Sequence, residues 1–191
     1  PSGFYKTTLV SNKDLQIPNA DYVWEGYSTS ASSGIVDFGA VVLSPEQSLP
    51  QRAKLFESSI QTDVVQKILS DENIFPKEML TGLYNTLKDD RLYESETAKK
   101  LLTTLRFFWI VDDVDYYYSY NDELSKVTWN EMSSFLTKYV YGKHPLVTVL
   151  VNPQVYEAQK QVFADEGFVE ITADDAFWWN KKTESTEGES K

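Results

Sequence analysis

Asp112-Asp113-Val114-Asp115 places three carboxylates within four residues, directly after the apolar run Phe107 to Val111. On an extended strand Asp113 and Asp115 project from one face about 7 Å apart. That spacing suits two hard oxygen ligands for Mg²⁺, Mn²⁺ or Ca²⁺. The alternative is a strand end that simply reaches solvent. Asp112 falls on the opposite, apolar face, where a buried carboxylate is either a proton-transfer group or is satisfied by a nearby amide or lysine. Tyr117 shares the face of Asp113 and Asp115. His144 stands in Gly142-Lys143-His144-Pro145, between a helix and a strand, as a general base or as a histidine stabilised at a helix C-terminus. Asn152 ends the apolar run Leu146 to Val151. The ligand-binding candidates are therefore Asp112, Asp113, Asp115, Tyr117, His144 and Asn152. None is assigned a catalytic role, and Asp113 and Asp115 are the candidate metal ligands.

Composition removes several chemistries. The 191 residues contain no cysteine, so disulfide frameworks, thiolate nucleophiles and Cys-based metal sites are excluded. A single histidine cannot build a His-cluster metal site. Lys+Arg of 18 against Asp+Glu of 29 gives a net charge of −11, a field that repels phosphate backbones and anionic lipid. No apolar run approaches the roughly 20 residues needed to span a bilayer. The start, Pro1-Ser2-Gly3, lacks the pattern of a signal peptide, so a cytoplasmic location is expected. The hydrophobic share of 41% and the aromatic share of 14% support a packed core. Gly-x-Gly-x-x-Gly, P-loop, Gly-x-Ser-x-Gly and His-Glu-x-x-His patterns are absent from the sequence.

The elements that would position these residues carry local signals. Thr128-Trp129-Asn130-Glu131 has capping-box form. Met132, Phe135, Leu136, Tyr139 and Val140 continue it as an apolar stripe with 3.6-residue period. Gly142 supplies a left-handed stop and Pro145 keeps the helix from resuming. Leu146 to Val151 reads as a strand covered on both faces. Asn152-Pro153 opens a helix that ends at Gly167, and Phe168 to Ile171 reads as the next strand. Toward the N-terminus, Phe4 to Val10 reads as a first strand. Tyr22 to Tyr27 and Ile35 to Leu43 form a pair joined by the small-residue loop Ser28 to Gly34, with Gly39 a possible bulge. Ser44-Pro45-Glu46 starts a block of three or four helices over residues 45–106, with Leu101, Leu102 and Leu105 inward. Residues 107–120 alternate as one long strand. Phe177 to Trp179 reads as a final strand. The polar tail 181–191 is expected to be disordered.

Asp-x-Asp after an apolar strand resembles the metal–nucleotide motif of glycosyltransferases. A broader resemblance covers residues 116–171: strand, capped helix, buried strand ending at an Asn, helix, and a Gly-Phe pair before the last strands. That order resembles the C-terminal half of GNAT-type acyltransferases, with Asn152, Ala158, Phe163 and Gly167-Phe168 at the matching positions. The resemblance implies N-acyl transfer with acetyl-CoA. It carries over no catalytic residue, because Phe163 stands where the family often has a tyrosine. The interval Asn121 to Val127, where the family has its pyrophosphate loop, holds no glycine.

The sequence thus predicts one α/β (or α+β) domain over residues 1–180. A central mixed sheet takes strands from 4–43, 107–120, 146–151, 168–171 and 177–179, with the helical block 45–106 inserted. The expected function is a non-catalytic acidic binding or interaction protein without a cofactor. Its ligand would be a protein or small molecule, and nucleic acid and membrane are disfavoured. The alternatives are a GNAT-like acyltransferase using acetyl-CoA, and a Mg²⁺- or Mn²⁺-dependent transferase using Asp113 and Asp115.

Overall fold

Ile60, Val64 and Ile68 recur at four-residue spacing, and the fold is assembled around the helix they define. A computed structural model describes residues 3–43 and 48–176. In it, α2 (Leu49–Ser59), one π turn (Ile60–Val65) and α3 (Gln66–Ser70) run on as a single helix. Leu9, Leu15, Ile17, Val23, Val64 and Ile68 form one buried cluster, and Ile60, Val65 and Val140 a second beside it. The π turn therefore sends the neighbouring residues Val64 and Val65 into two different clusters. Burying an aliphatic side chain of this size stabilises by about 1.5–3 kcal/mol.

Short elements close around this helix. The first is α1 (Phe4–Ser11), which ends in two 3₁₀ turns before β1 (Val23–Thr29) and β2 (Gly34–Ala40). The two strands pair antiparallel from Val23↔Ala40 to Thr29↔Gly34. Tyr5 on α1 packs its ring on Phe38 and donates its hydroxyl to the Trp24 carbonyl. The helix α7 (Trp129–Tyr139) then runs antiparallel to residues 60–68. At its start the Trp129 indole N–H donates to the Ile68 carbonyl, 3.2 Å away. At its end the Gln61 amide donates to the Val140 carbonyl and accepts from the Gly142 N–H, both at 3.0 Å. On the far side, α8 (Pro153–Asp165) reaches α2 through a Lys54–Glu166 ion pair and a Gln159 oxygen that accepts from the Leu49 N–H.

Between α3 and α7 in the chain, α4 (Lys77–Ser95), α5 (Ala98–Val111) and α6 (Val114–Lys126) pack mainly on one another. A four-residue helix, α9 (Ala173–Ala176), follows α8.

The expected α/β architecture is overturned: the described residues are mostly helical, and their one sheet is the β1–β2 hairpin. Residues 4–10 form a helix rather than a strand. Residues 107–120 are the end of α5 and most of α6, because two caps divide them. The Thr97 hydroxyl accepts from the Lys100 N–H, and the Asp113 carboxylate accepts from the Tyr116 N–H. Leu101, Thr104, Leu105, Phe108 and Val111 then share the inner face of a 3.6-residue helix, a pattern that period-two alternation conceals. Segments 146–151 and 168–171 are not strands either: among the described residues no strand lies alongside them, and a lone strand leaves its backbone groups unpaired. Leu146 and Leu150 are 94% and 101% exposed. Gly39 is no bulge. It pairs directly with Trp24, whose indole covers it so closely that a Cβ would meet ring atoms at 2.0 Å. The predicted helical block holds from Leu49 through α5. Its Ser44 cap, the strand at 177–179 and the tail 181–191 lie outside the described residues.

Candidate protein-interaction surface

The three-helix unit α4–α5–α6 is organised by one aromatic hub. Phe108, 3% exposed, is the only residue of these helices that is buried. Its ring meets Tyr116 at 5.3 Å, Tyr120 at 5.4 Å, Tyr117 at 5.5 Å and Phe107 at 5.6 Å, mostly edge to face. The Arg91 guanidinium, from α4, lies 4.7 Å from the Phe108 ring centre, 5.0 Å from Tyr120 and 5.4 Å from Tyr117. Glu94 orients it through an ion pair and also accepts from the Thr104 hydroxyl. The packing at the hub is thus aromatic and cation–π rather than aliphatic. Arg91 was not singled out from the sequence, because its partners lie 17 to 29 residues away.

The outward side of α5 is apolar as well. Leu102 is 65%, Trp109 68% and Ile110 62% exposed, with Phe107 beside them. The sequence reading placed Leu102 in the core with Leu101 and Leu105. The helix instead turns Leu101 and Leu105 in and Leu102 out, and Met79, Leu83 and Leu87 of α4 face outward too. An amphipathic helix of a monomeric protein shows a polar outer face. This one sets Leu102, Phe107, Trp109 and Ile110 outside around Lys99 and Arg106, and large apolar side chains gathered on one exposed face mark interaction sites.

The sequence-derived site candidates have mainly structural places. Asp112 caps the C-terminus of α5 and is exposed, so the buried proton-transfer reading fails. Asp113 is the N-cap of α6, its Oδ1 2.7 Å from the Tyr116 N, and Asp115 sits in the first turn, where a carboxylate favours the helix dipole. Tyr117 packs at the hub. His144 is exposed in the coil after Gly142. Asn152 is the N-cap of α8, its Oδ1 accepting from the Gln154 N–H at 2.9 Å. The four residues 112, 113, 115 and 117 are together at the α5–α6 junction. His144 and Asn152 flank the other exposed segment, 146–151.

Among the described residues, no group of three His, Asp or Glu side chains converges as a metal site. A shallow groove of about 400 Å³ between α1 and the start of α4 is lined by Phe4, Thr7, Thr8, Ser11, Ile74, Phe75 and Met79, none of them ionisable. The half-buried Tyr5 and Tyr116 are not poised as bases. Burial, then Glu25 and Asp37, pushes the Tyr5 phenol well up, and burial, then Tyr120 and Asp112, raises Tyr116. Both hold their protons at neutral pH. No described helix is long and apolar enough to cross a membrane. No protein-family model, curated protein or solved structure matches the chain.

Proposed function

We propose that the chain is a non-catalytic interaction protein whose α4–α6 unit docks another macromolecule. One observation carries this reading: three helices share a single buried residue while Leu102, Phe107, Trp109 and Ile110 face outward from α5. Helices stay folded mainly by burying an apolar face, and a unit with so thin a core gains its missing burial by covering its second face. Of the ionisable residues singled out for chemistry, Asp112 and Asp113 cap helices, Asp115 and His144 stand exposed and Tyr117 packs at the hub, which favours binding over catalysis.

A photo-crosslinking residue placed at position 109 in the native cell tests the proposal, with position 88 on the exposed side of α4 as control. A discrete adduct from position 109 and none from position 88 is the expected result. Equal adducts from both positions, or none from either, would overturn it. Acetyl transfer from acetyl-CoA by the purified chain, or Mn²⁺-dependent group transfer lost in Asp113→Ala, would replace it with one of the enzymatic readings.

A further inference from the structure

We infer that the occupant of the α5 face is an acidic amphipathic helix of a partner protein, an inference that rests on the interaction reading above. At 3.6 residues per turn, α5 divides cleanly into two sides. Lys100, Leu101, Thr104, Leu105, Phe108 and Val111 lie on the covered side. The open side reads, in order around the helix, Trp109, Leu102, Arg106, Lys99, Ile110, Thr103 and Phe107. Two cations therefore run down the middle of the face, with apolar side chains on both flanks.

In a chain where acidic residues outnumber basic ones 29 to 18, α5 carries no acidic residue at all. Neither Lys99 nor Arg106 forms an ion pair among the described residues, whereas Lys100 is drawn onto the Tyr93 ring at 3.4 Å. The nearest acids in sequence, Glu96 and Asp112, stand beyond the two ends of the helix. The face is about 20 Å long, enough for a partner helix of three to four turns. Leucines or aromatics of that helix would fill the flanks, and its carboxylates would meet Arg106 and Lys99.

Charge separates this occupant from the two others the face could take. A second copy of α5 would set Lys99 and Arg106 against their own counterparts. An anionic lipid plane lies against the whole side of the protein and so meets the repulsion of its −11 charge. A single helix lying on α5 responds chiefly to charges within one Debye length, about 8 Å at physiological salt.

The test uses two fluorescein-labelled synthetic helices with the same leucine stripe, one with glutamate and one with lysine at every polar position. The full chain should bind the glutamate helix about fivefold more tightly or better, the scale of two exposed ion pairs. That preference should shrink with added salt. Lys99→Glu with Arg106→Glu should reverse the order, and Leu102→Ser with Trp109→Ser should weaken both peptides together. Equal affinity, a preference for the lysine helix, or no binding of either would overturn the inference while leaving the crosslinking test of the interaction reading untouched. Displacement of the glutamate helix by phosphatidylserine vesicles, or a sedimenting dimer that protects the α5 amides from exchange, would overturn it in favour of a lipid surface or a second copy.

Discussion

Replacing Phe108 with alanine should melt one part of the molecule and spare the rest. Truncation of a buried phenylalanine costs about 3–5 kcal/mol in transfer and cavity terms. Phe108 touches four rings and one guanidinium, but all of those partners are half-buried or exposed and can close over the gap. The lower end, about 3 kcal/mol, is therefore expected. Among the described residues, nine of the eleven buried hydrophobics lie in the two clusters around residues 60–68, and none of those nine belongs to α4, α5 or α6. The loss should stay local. Since 1.4 kcal/mol is a factor of ten, native-state hydrogen exchange in α4, α5 and α6 should accelerate roughly a hundredfold. Amides of α2, α3 and α7 should change less than threefold by the same relation. Acceleration spread evenly over all helices would mean that the three-helix unit is not energetically separate. No acceleration in α5 would remove Phe108 as its hub.

Asp113→Ala should cost about 1 kcal/mol by urea denaturation, whereas Asp113→Asn, which keeps the cap, should cost much less. A metal ligand would lose Mn²⁺-dependent stabilisation in both variants. Thr128→Ala removes one half of the capping box and should cost about 1 kcal/mol. Within that box the Thr128 N–H and hydroxyl hold the Glu131 carboxyl below its ordinary value. A depressed folded-state value means stability present above the unfolded value and lost as pH falls through the folded one. Acid titration of α7 should therefore flatten below pH 5 in Glu131→Gln, and an unchanged profile would remove the box as its cause. Gly142 has φ +67° with open space where a Cβ would stand, so Gly142→Ala should cost about 1–2 kcal/mol of purely conformational strain. Leu150→Ser should shift stability by no more than about 0.5 kcal/mol, as for any exposed site. A loss above about 2 kcal/mol in thermal or urea unfolding would put residues 146–151 back into a packed core.

By itself the sequence determined what depends on a few neighbouring residues. The Thr128–Glu131 box, the Asn152-Pro153 helix start, the left-handed stop at Gly142, the helix end before Gly167 and a hairpin loop within Ser28–Gly34, shortened to 30–33, all formed as their residues dictate. Each of these closes backbone or cap hydrogen bonds within five positions, although the Gly142 N–H also donates to distant Gln61. Tertiary structure decided the rest. Residues 107–120 satisfy both a two-residue and a 3.6-residue period; the Thr97 and Asp113 caps favour the helix locally, and the Phe108 hub gives its inner face something to pack on. Leu146 to Val151 has strand composition, yet a strand exists only beside another, and none of the described residues supplies one. Which leucines of α4 and α5 turn inward was open for the same reason. Either face is apolar enough to bury, and only the position of Arg91 and the α6 tyrosines fixed one of them, leaving Leu102, Trp109 and Ile110 outside with Lys99 and Arg106. The candidate surface was therefore present in the sequence as residues but invisible as a face, because exposure is a property of what fails to pack against a helix and not of the helix itself.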